Sequence, residues 1–344
     1  MEITTIGLDL AKNVFQVHGV DAAGAIVVRR ALRRSQVLPF FSKLAPCLVG
    51  MEACGTTHHW AREIAQLGHQ VRLMPANYVK PYVKRGKTDA NDAEAICEAA
   101  TRPTMRFVAV KSREQQSVLS MHRARDLMVK QRTQLMNMIR AMLGEFGIAI
   151  PVGLERALIM ARQVVEGKNL GVPAEAAQVV VTLAQQALAA HLKIRDMERD
   201  LLRWHRGNEV SRRLASIPGI GPIGASALAA SVTDPHQFRS GRQFAAWLVL
   251  TPRQNSSGGK ERLGRITKMG DRYLRKLLFV GMMSLVKCAK RAPESVDPRV
   301  LDLLARKPAR VAAIALANKT ARIVWAVMTR GDTYRAGHVP ALAA

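Results

Sequence analysis

Residues 87–96 read KTDANDAEAI and place Asp89 and Asp92 three residues apart, directly behind Lys84, Arg85 and Lys87. On a helix that spacing puts both carboxylates on one face, about 5–6 Å apart at Cβ. Two bare carboxylates about 4 Å apart repel by about 4 kcal/mol at an effective dielectric of 20. Water, the neighbouring cations or a divalent metal must offset that repulsion. Asp9, near the end of TTIGLDLA, and Glu52, near the end of PCLVGMEA, supply two further hard oxygen ligands. An Asp, Glu, Asp, Asp set suits Mg2+ or Mn2+. A pair of such ions, about 3.5–4 Å apart, holds a scissile phosphate and stabilises both the attacking and the leaving oxygen. Each acid also has a plainer reading: Asp89 as an N-cap, Asp92 as a first-turn acid favoured by the helix dipole, Glu52 as a strand-end residue. The four together favour the metal site. His58 and His59 read as ordinary helix-start residues.

A second chemistry lies in TPRQNSSGGKERLGRITK, residues 251–268. A serine flanked by glycines, among Arg253, Lys260, Arg262, Arg265 and Lys268, can approach a phosphodiester closely. A free hydroxyl is a weak nucleophile and needs activation, which metals could supply. The alternative is a flexible basic loop that only touches DNA. PGIGPIG, residues 218–224, carries G-x-G-x-x-G at Gly219, Gly221 and Gly224. No strand precedes it and no acidic partner closes a βαβ unit, which speaks against a dinucleotide site. A helix–Gly-Ile-Gly–helix hairpin fits better. Its backbone N–H groups either contact a DNA phosphate or simply make a tight interhelical turn.

The whole chain supports a polyanionic partner. It has 52 Lys+Arg against 26 Asp+Glu, a formal charge of +26 and a pI near 11.0. The basic residues are spread through folded segments, so nucleic acid is favoured over a membrane surface. With 48% hydrophobic and 23% charged residues, the chain is globular. The N-terminus lacks a charged stretch followed by an apolar one, and no uninterrupted apolar run approaches the ~18 residues of a spanning helix. A soluble, cytoplasmic protein is expected. Cys47, Cys54, Cys97 and Cys288 form no C-x-x-C pair, so they read as reduced and structural.

The acids need a scaffold. TTIGLDLA reads as a strand, NVFQVHGVD as its hairpin partner and IVVRRALRR as a third strand. PCLVGMEA and HQVRLMPA read as buried strands, with HHWAREIAQLG a helix between them stopped by Gly68. TDANDAEAICEAATR is helical, with Thr88 or Asp89 as N-cap. A hairpin followed by alternating strands and helices predicts an α/β domain with a mixed sheet over residues 1–110. Residues 111–208 read as a helical arm for oligomerisation, with long helices over 112–146 and 174–205 and a connection between them. Residues 209–332 form a mostly helical C-terminal domain, and residues 333–344 a tail.

In order, GLDLAK, VGMEACGT, KTDANDA, SIPGIGP, FAAWLVLTPRQNSSGGK and GRITKMGDRYLR resemble the DEDD transposases of the insertion-sequence 110 family, relatives of Piv-type DNA invertases. The likeness runs over about residues 3–330. It implies an RNase H-like (RuvC-like) domain, a coiled-coil arm and a C-terminal transposase domain with a helix-hairpin-helix-like motif. It implies metal ligands at Asp9, Glu52, Asp89 and Asp92, and a nucleophilic serine at Ser257, beside Ser256. The implied reaction is a site-specific DNA recombination through a covalent phosphoserine link and a junction-like intermediate. Its composite site joins the acids of one subunit to the serine of another, in a homodimer or homotetramer. The implied partners are the DNA of the element ends and target site and a non-coding bridge RNA, in a bacterial cytoplasm at the nucleoid. The segment between Pro151 and Pro173 departs from the family pattern, and SSGGK looks closer to the subgroup with subterminal inverted repeats.

Three hypotheses follow. The leading one is an RNA-guided serine recombinase that mobilises its own element. The second is a metal-dependent junction nuclease that uses water and leaves no protein on DNA. The third is a non-catalytic nucleic-acid-binding protein whose binding is salt-sensitive and indifferent to Asp9→Asn.

Overall fold

The computed structural model describes residues 2–84, 86, 88–266 and 270–335. The chain divides into two compact units, Met1–Arg113 and Glu114–Ala344.

The first unit is a mixed five-stranded sheet with helices. Strands β1 (Thr5–Leu10), β2 (Val14–Val20) and β3 (Ile26–Arg33) form an antiparallel meander. Asp21 accepts the Ala23 and Ala25 N–H groups at 2.9 Å and shapes the turn from β2 to β3. The short helix α1 (Val37–Phe41) then leads to β4 (Leu48–Glu52), which lies parallel to β1 with Leu8 opposite Met51. Helix α2 (Thr57–Gln66) ends before Gly68, whose φ of +93° permits the turn into β5 (Gln70–Met74). A short α3 (Ala76–Val79) precedes α4 (Asp89–Ala100). The sheet order is β3-β2-β1-β4-β5. This is the mixed sheet expected from the strand and helix pattern.

Alternation sorts the strand residues onto two faces. Ile6, Leu8, Phe15, Val17, Leu32, Val49 and Met51 are buried with Phe41, Trp60 and Ile64 from α1 and α2. The residues between them, Gly7 and Asp9 on β1 and Gly50 and Glu52 on β4, therefore face α4.

The second unit is almost wholly helical. The sequence predicts helices over 112–146 and 174–205, and α5 (Arg113–Gly144) and α7 (Ala174–Gly207) occupy those places. The connection between them contains α6 (Leu154–Val165), which the Gly- and Pro-rich flanks obscure. Ala157, Leu158, Ala161 and Val164 of α6 pack with Met136, Ile139 and Leu143 of α5 and Val180, Ala184 and Ala187 of α7. Arg125 pairs with Glu198 at 2.5 Å, and an Arg132 Nη1–His191 Nδ1 contact lies at 2.9 Å, so α5 and α7 run antiparallel.

Beyond them lie α8 (Glu209–Ala215), α9 (Pro222–Ser231) and α10 (Gly241–Trp247), a two-stranded hairpin β6 (Pro252–Gln254) and β7 (Leu263–Ile266), then α11 (Arg272–Arg291), α12 (Pro298–Arg306) and α13 (Ala309–Arg330). Helix α13 is long and apolar enough to span a membrane by length and composition, although Asn318, Lys319 and Arg322 interrupt its apolar residues. In the fold Ala313, Ala317, Ala321, Val324 and Val327 of α13 join the buried cluster of this unit.

Candidate active site

Four acids expected to converge come from three elements of the first unit. Parallel pairing of β1 with β4 brings Asp9 and Glu52 to the ends of adjacent strands. Helix α4 crosses the face they share, at closest packing. A Cβ built on Gly7 would stand 2.0 Å from the Ala93 carbonyl oxygen, and one on Gly50 would stand 2.7 Å from Ala100 Cβ. Only glycine lets the helix lie this close.

The start of α4 is fixed by Thr88, whose hydroxyl accepts the Asn91 N–H at 3.2 Å. The cap is therefore Thr88, which leaves the Asp89 side chain out of that role. Asn91 Nδ2 donates to the Gly86 carbonyl at 2.9 Å and holds the approach to the helix. Lys84 pairs with Glu94, so this cation, expected to face DNA, is also tied to α4.

Oxygens of Asp9, Asp89 and Asp92 all lie within 4.8 Å of one another. Glu52 stands outside that tightest group. Its charge nevertheless helps to raise the Asp9 pKa, after burial, Asp92 and Asp89, and the total carries Asp9 to about 6. The Glu52 main chain is held from behind: Thr57 Oγ1 donates to the Glu52 carbonyl at 2.7 Å and accepts the Cys54 N–H at 2.9 Å. Thr57 is fully buried. Sequence reading missed Gly7, Gly50 and Thr57. Small residues at every second position beside a strand acid were the available signal.

A set of hard oxygen donors, converging and already costly to ionise together, fits a divalent cation and suits no soft metal. Bound there, such an ion would neutralise the carboxylates and charge developing on a phosphate.

In the second unit the basic loop is a β-hairpin. Ser257 sits in its turn, exposed, with the Lys260 N–H on its carbonyl at 3.1 Å and Gly258 and Gly259 at φ of +55° and +75°. The neighbouring serine is already engaged, since Ser256 Oγ accepts the Arg262 N–H at 3.1 Å. Arg253, Lys260 and Arg262 are exposed around the turn. Arg85, Lys87 and Lys268 lie outside the described residues, as does the side chain of Arg265.

The base of the hairpin is clamped. Val249 N–H reaches the Ala246 carbonyl at 2.9 Å and Leu250 N–H the Ala245 carbonyl at 3.0 Å, a Schellman pattern closing α10. Arg275 Nη1 donates to the Leu248 carbonyl and Asn318 Nδ2 to the Leu250 carbonyl, both at 3.2 Å.

The glycine motif turns out to have a packing reason. Gly219, at φ +82°, abuts Gly281 of α11: a Cβ on Gly281 would stand 1.9 Å from the Gly219 carbonyl oxygen. Gly221 is exposed at the start of α9.

A mixed sheet with carboxylates at the ends of adjacent parallel strands, and more on a helix across them, has the form of an RNase H-like DEDD domain. The sequence comparisons agree. An IS110-type DEDD transposase model matches residues 6–148, and the model of the transposase IS116/IS110/IS902 family matches residues 211–297. A Pseudomonas aeruginosa protein described as a probable family 20 transposase is 51% identical, over 98% of this chain and 100% of its own length. The transposase for insertion sequence element IS1111A of Coxiella burnetii is 39% identical over 98% of this chain and 92% of its own. The transposase for IS1328 of Yersinia enterocolitica is 39% identical over 96% and 98%. The chain belongs to the IS110 family of insertion-sequence transposases, enzymes that cleave and recombine DNA.

Proposed function

We propose that this transposase moves its own element by covalent serine recombination, with Ser257 as nucleophile and Asp9, Glu52, Asp89 and Asp92 as a Mg2+ or Mn2+ site. The observation that carries the reading is the convergence of Asp9, Asp89 and Asp92 oxygens within 4.8 Å at one end of the sheet. In the proposed step the Ser257 Oγ attacks a DNA phosphorus. The Oγ–P bond forms, one P–O bond to deoxyribose breaks, the serine proton leaves to water and the departing sugar oxygen takes up a proton. The reverse attack by a sugar oxygen of the other duplex frees the serine and joins the strands. Ser256, whose Oγ is engaged by the Arg262 N–H, stiffens the turn and does not attack.

Exposed Arg253, Lys260 and Arg262 hold the DNA backbone beside the serine, and Lys84 and Gly221 contribute phosphate contacts. In this reading residues 1–110 carry the metal site, 111–208 the oligomerisation arm and 209–332 the serine domain. Acids and serine from different subunits make one composite site in a homodimer or homotetramer. A bridge RNA selects donor and target, and the protein works in the bacterial cytoplasm at the nucleoid.

The test expresses the gene with its native flanking DNA and probes for covalent protein–DNA adducts. Wild type and Ser256→Ala are expected to give adducts, while Ser257→Ala and Asp92→Asn give none. Cleavage without an adduct in any variant would instead establish a water-using junction nuclease.

A further inference from the structure

A cavity of about 630 Å³ opens in the first unit, lined by Asn13, Val14, Arg33, Arg34, Ser35 and Trp60. Its floor is rigid. Trp60 is 4% exposed, with Phe15 edge-on at 5.0 Å and His59 at 5.2 Å. The Arg34 guanidinium lies over the indole, 5.0 Å from its ring centre. The Arg34 backbone N–H is held by the Asn13 carbonyl at 3.0 Å. A guanidinium held over an aromatic ring by cation–π attraction loses freedom before any ligand arrives. Arg33 and Arg34 are both exposed, and neither forms an ion pair among the described residues. No acidic side chain lines the cavity. Two guanidinium groups without an acidic partner among the described residues, that of Arg34 held over Trp60, are chemically complementary to phosphodiester oxygens.

The sheet register gives this cavity its place. Asp9 pairs with Gln16, and Val14 pairs with Arg33. Val14 and Gln16 alternate onto the same face, so Arg33 has the strand parity of Asp9, one row further out and two strands across. Trp60 packs with Phe15 on the opposite face, so the cavity lies around the end of the sheet that carries Asp9 and not on the acidic face itself. Ideal strand spacings put the Arg33 and Asp9 backbones about 12 Å apart. A few nucleotides of strand cover that span, since successive phosphates advance about 3.4 Å along a duplex strand. The turn between β1 and β2 links the two places directly, because Asn13 follows Asp9 by four residues.

We propose that this cavity is a DNA subsite: Arg33 and Arg34 grip a phosphodiester of the strand being cut, a few nucleotides from the phosphate at the acidic cluster, with Trp60 as the platform for Arg34. The subsite rests on the DNA-cleavage reading of that cluster. Its role is to fix the strand's path across the carboxyl end of the sheet. Edge strand β3 also carries Arg29 and Arg30, outside the cavity, which supply ordinary charge without a platform.

The test uses the full-length protein carrying Asp92→Asn, so that binding is read without cleavage and the result does not depend on the serine chemistry. The probe is fluorescein-labelled single-stranded DNA of the element's terminal sequence, with RNA of the same sequence alongside. Affinity is measured against salt. Arg33→Ala with Arg34→Ala is expected to weaken DNA binding about tenfold and to lower the salt slope by about 0.7, the value for one phosphate on a single strand. Arg29→Ala with Arg30→Ala is expected to change affinity by less than about threefold. Arg34→Lys, which keeps the charge but not the multi-donor guanidinium over Trp60, is expected to lower affinity with little change in slope. An unchanged affinity and slope in the Arg33/Arg34 pair overturns the subsite. So does an equal loss in the Arg29/Arg30 pair, or a loss confined to the RNA probe. Should the double variant fail to fold, an Arg34→Lys protein with wild-type affinity overturns it.

Discussion

Gly7 on β1 and Ala93 on α4 meet so closely that no side chain fits between them: a Cβ on Gly7 would stand 2.0 Å from the Ala93 carbonyl oxygen. This contact sets the height of α4 above the sheet. Asp92 precedes Ala93 and Asp9 follows Gly7 by two, so the same contact sets the distance between two acids of the cluster.

Gly7→Ala is therefore expected to damage both fold and site. The obstacle is backbone on both sides, so the helix must lift, at a cost of about 1–3 kcal/mol or more. Denaturant unfolding should register that loss, and calorimetric titration should show weakened Mn2+ binding. Gly55, with nothing within 4 Å of a built Cβ, is the control near the same site. Gly55→Ala should leave both measurements near wild type.

The metal-free acidic cluster should make stability depend on pH with a definite sign. Folding raises the Asp9 pKa from 3.8 to about 6, through burial first and then Asp92, Asp89 and Glu52. Between those values the folded state holds a proton that the unfolded state has released. Stability thus falls as pH rises from about 4 to 6 and stays lower above. A divalent ion at 100 times its dissociation constant restores about 2.7 kcal/mol at pH 7–8, and far less at pH 5, where protons compete. Thermal melts with and without Mg2+ across this range check it. Asp9→Asn should remove both the fall and the metal's rescue; a full metal-induced rise in that variant would contradict the assignment.

The acids themselves are legible because their types are unusual in so basic a chain and each ends or opens a recognisable element. Alternation in β1 and β4 and the Thr88 cap define the scaffold, since both are local effects. What sequence alone does not show comes from non-local contact. Gly7 and Gly50 look like ordinary strand glycines until α4 is found against them. The segment between Pro151 and Pro173 reads as a connection because Gly153, Gly167 and Gly171 flank it. Yet Leu158 and Ala161 within it are fully buried against α5 and α7. Tertiary burial, not local propensity, makes α6 a helix. The serine loop likewise looks flexible by composition, whereas pairing of Asn255 with Arg262, N–H to carbonyl at 2.8 Å, makes it a hairpin.

The second unit should respond to pH in the opposite direction. His122 on α5 is 1% exposed, with Nδ1 3.0 Å from the Tyr273 hydroxyl and Nε2 3.1 Å from Ser226 Oγ. Burial, with a smaller contribution from Arg125, lowers its pKa from 6.5 to about 4. A depressed histidine contributes stability that is complete above the unfolded pKa and is lost as pH falls from about 6.5 to 4. The shift corresponds to an upper bound of about 3 kcal/mol. Unfolding of full-length protein followed in steps through that range should show the loss. His122→Asn keeps polar partners for both hydroxyls and is expected to flatten the profile while lowering stability at pH 7 by about 1–2 kcal/mol. A profile unchanged in His122→Asn would assign the acid sensitivity to other groups.

Val249 is the one non-glycine at positive φ, 57°, among the described residues. It occupies the left-handed position that ends α10, where glycine is the usual residue. A β-branched side chain there costs about 1–2 kcal/mol in strain, whereas glycine costs about 0.5–1 kcal/mol in unfolded-state entropy. Val249→Gly should therefore raise stability, by about 0.5–1 kcal/mol, in equilibrium unfolding. Gly270 faces the same site from the other stem, at φ +74°; a Cβ there would stand 2.7 Å from the Trp247 carbonyl oxygen. Gly270→Ala combines strain with a backbone clash and should cost more than about 2 kcal/mol. The two stems meet at the root of the hairpin that bears Ser257, the proposed nucleophile, so the same variants test function as well as stability. If Val249 holds the hairpin at a required angle, Val249→Gly should be more stable yet slower to form the protein–DNA adduct. A variant both more stable and equally fast would show that Val249 is only a local defect, tolerated because the cap's two hydrogen bonds and the clamps from Arg275 and Asn318 over-determine the turn.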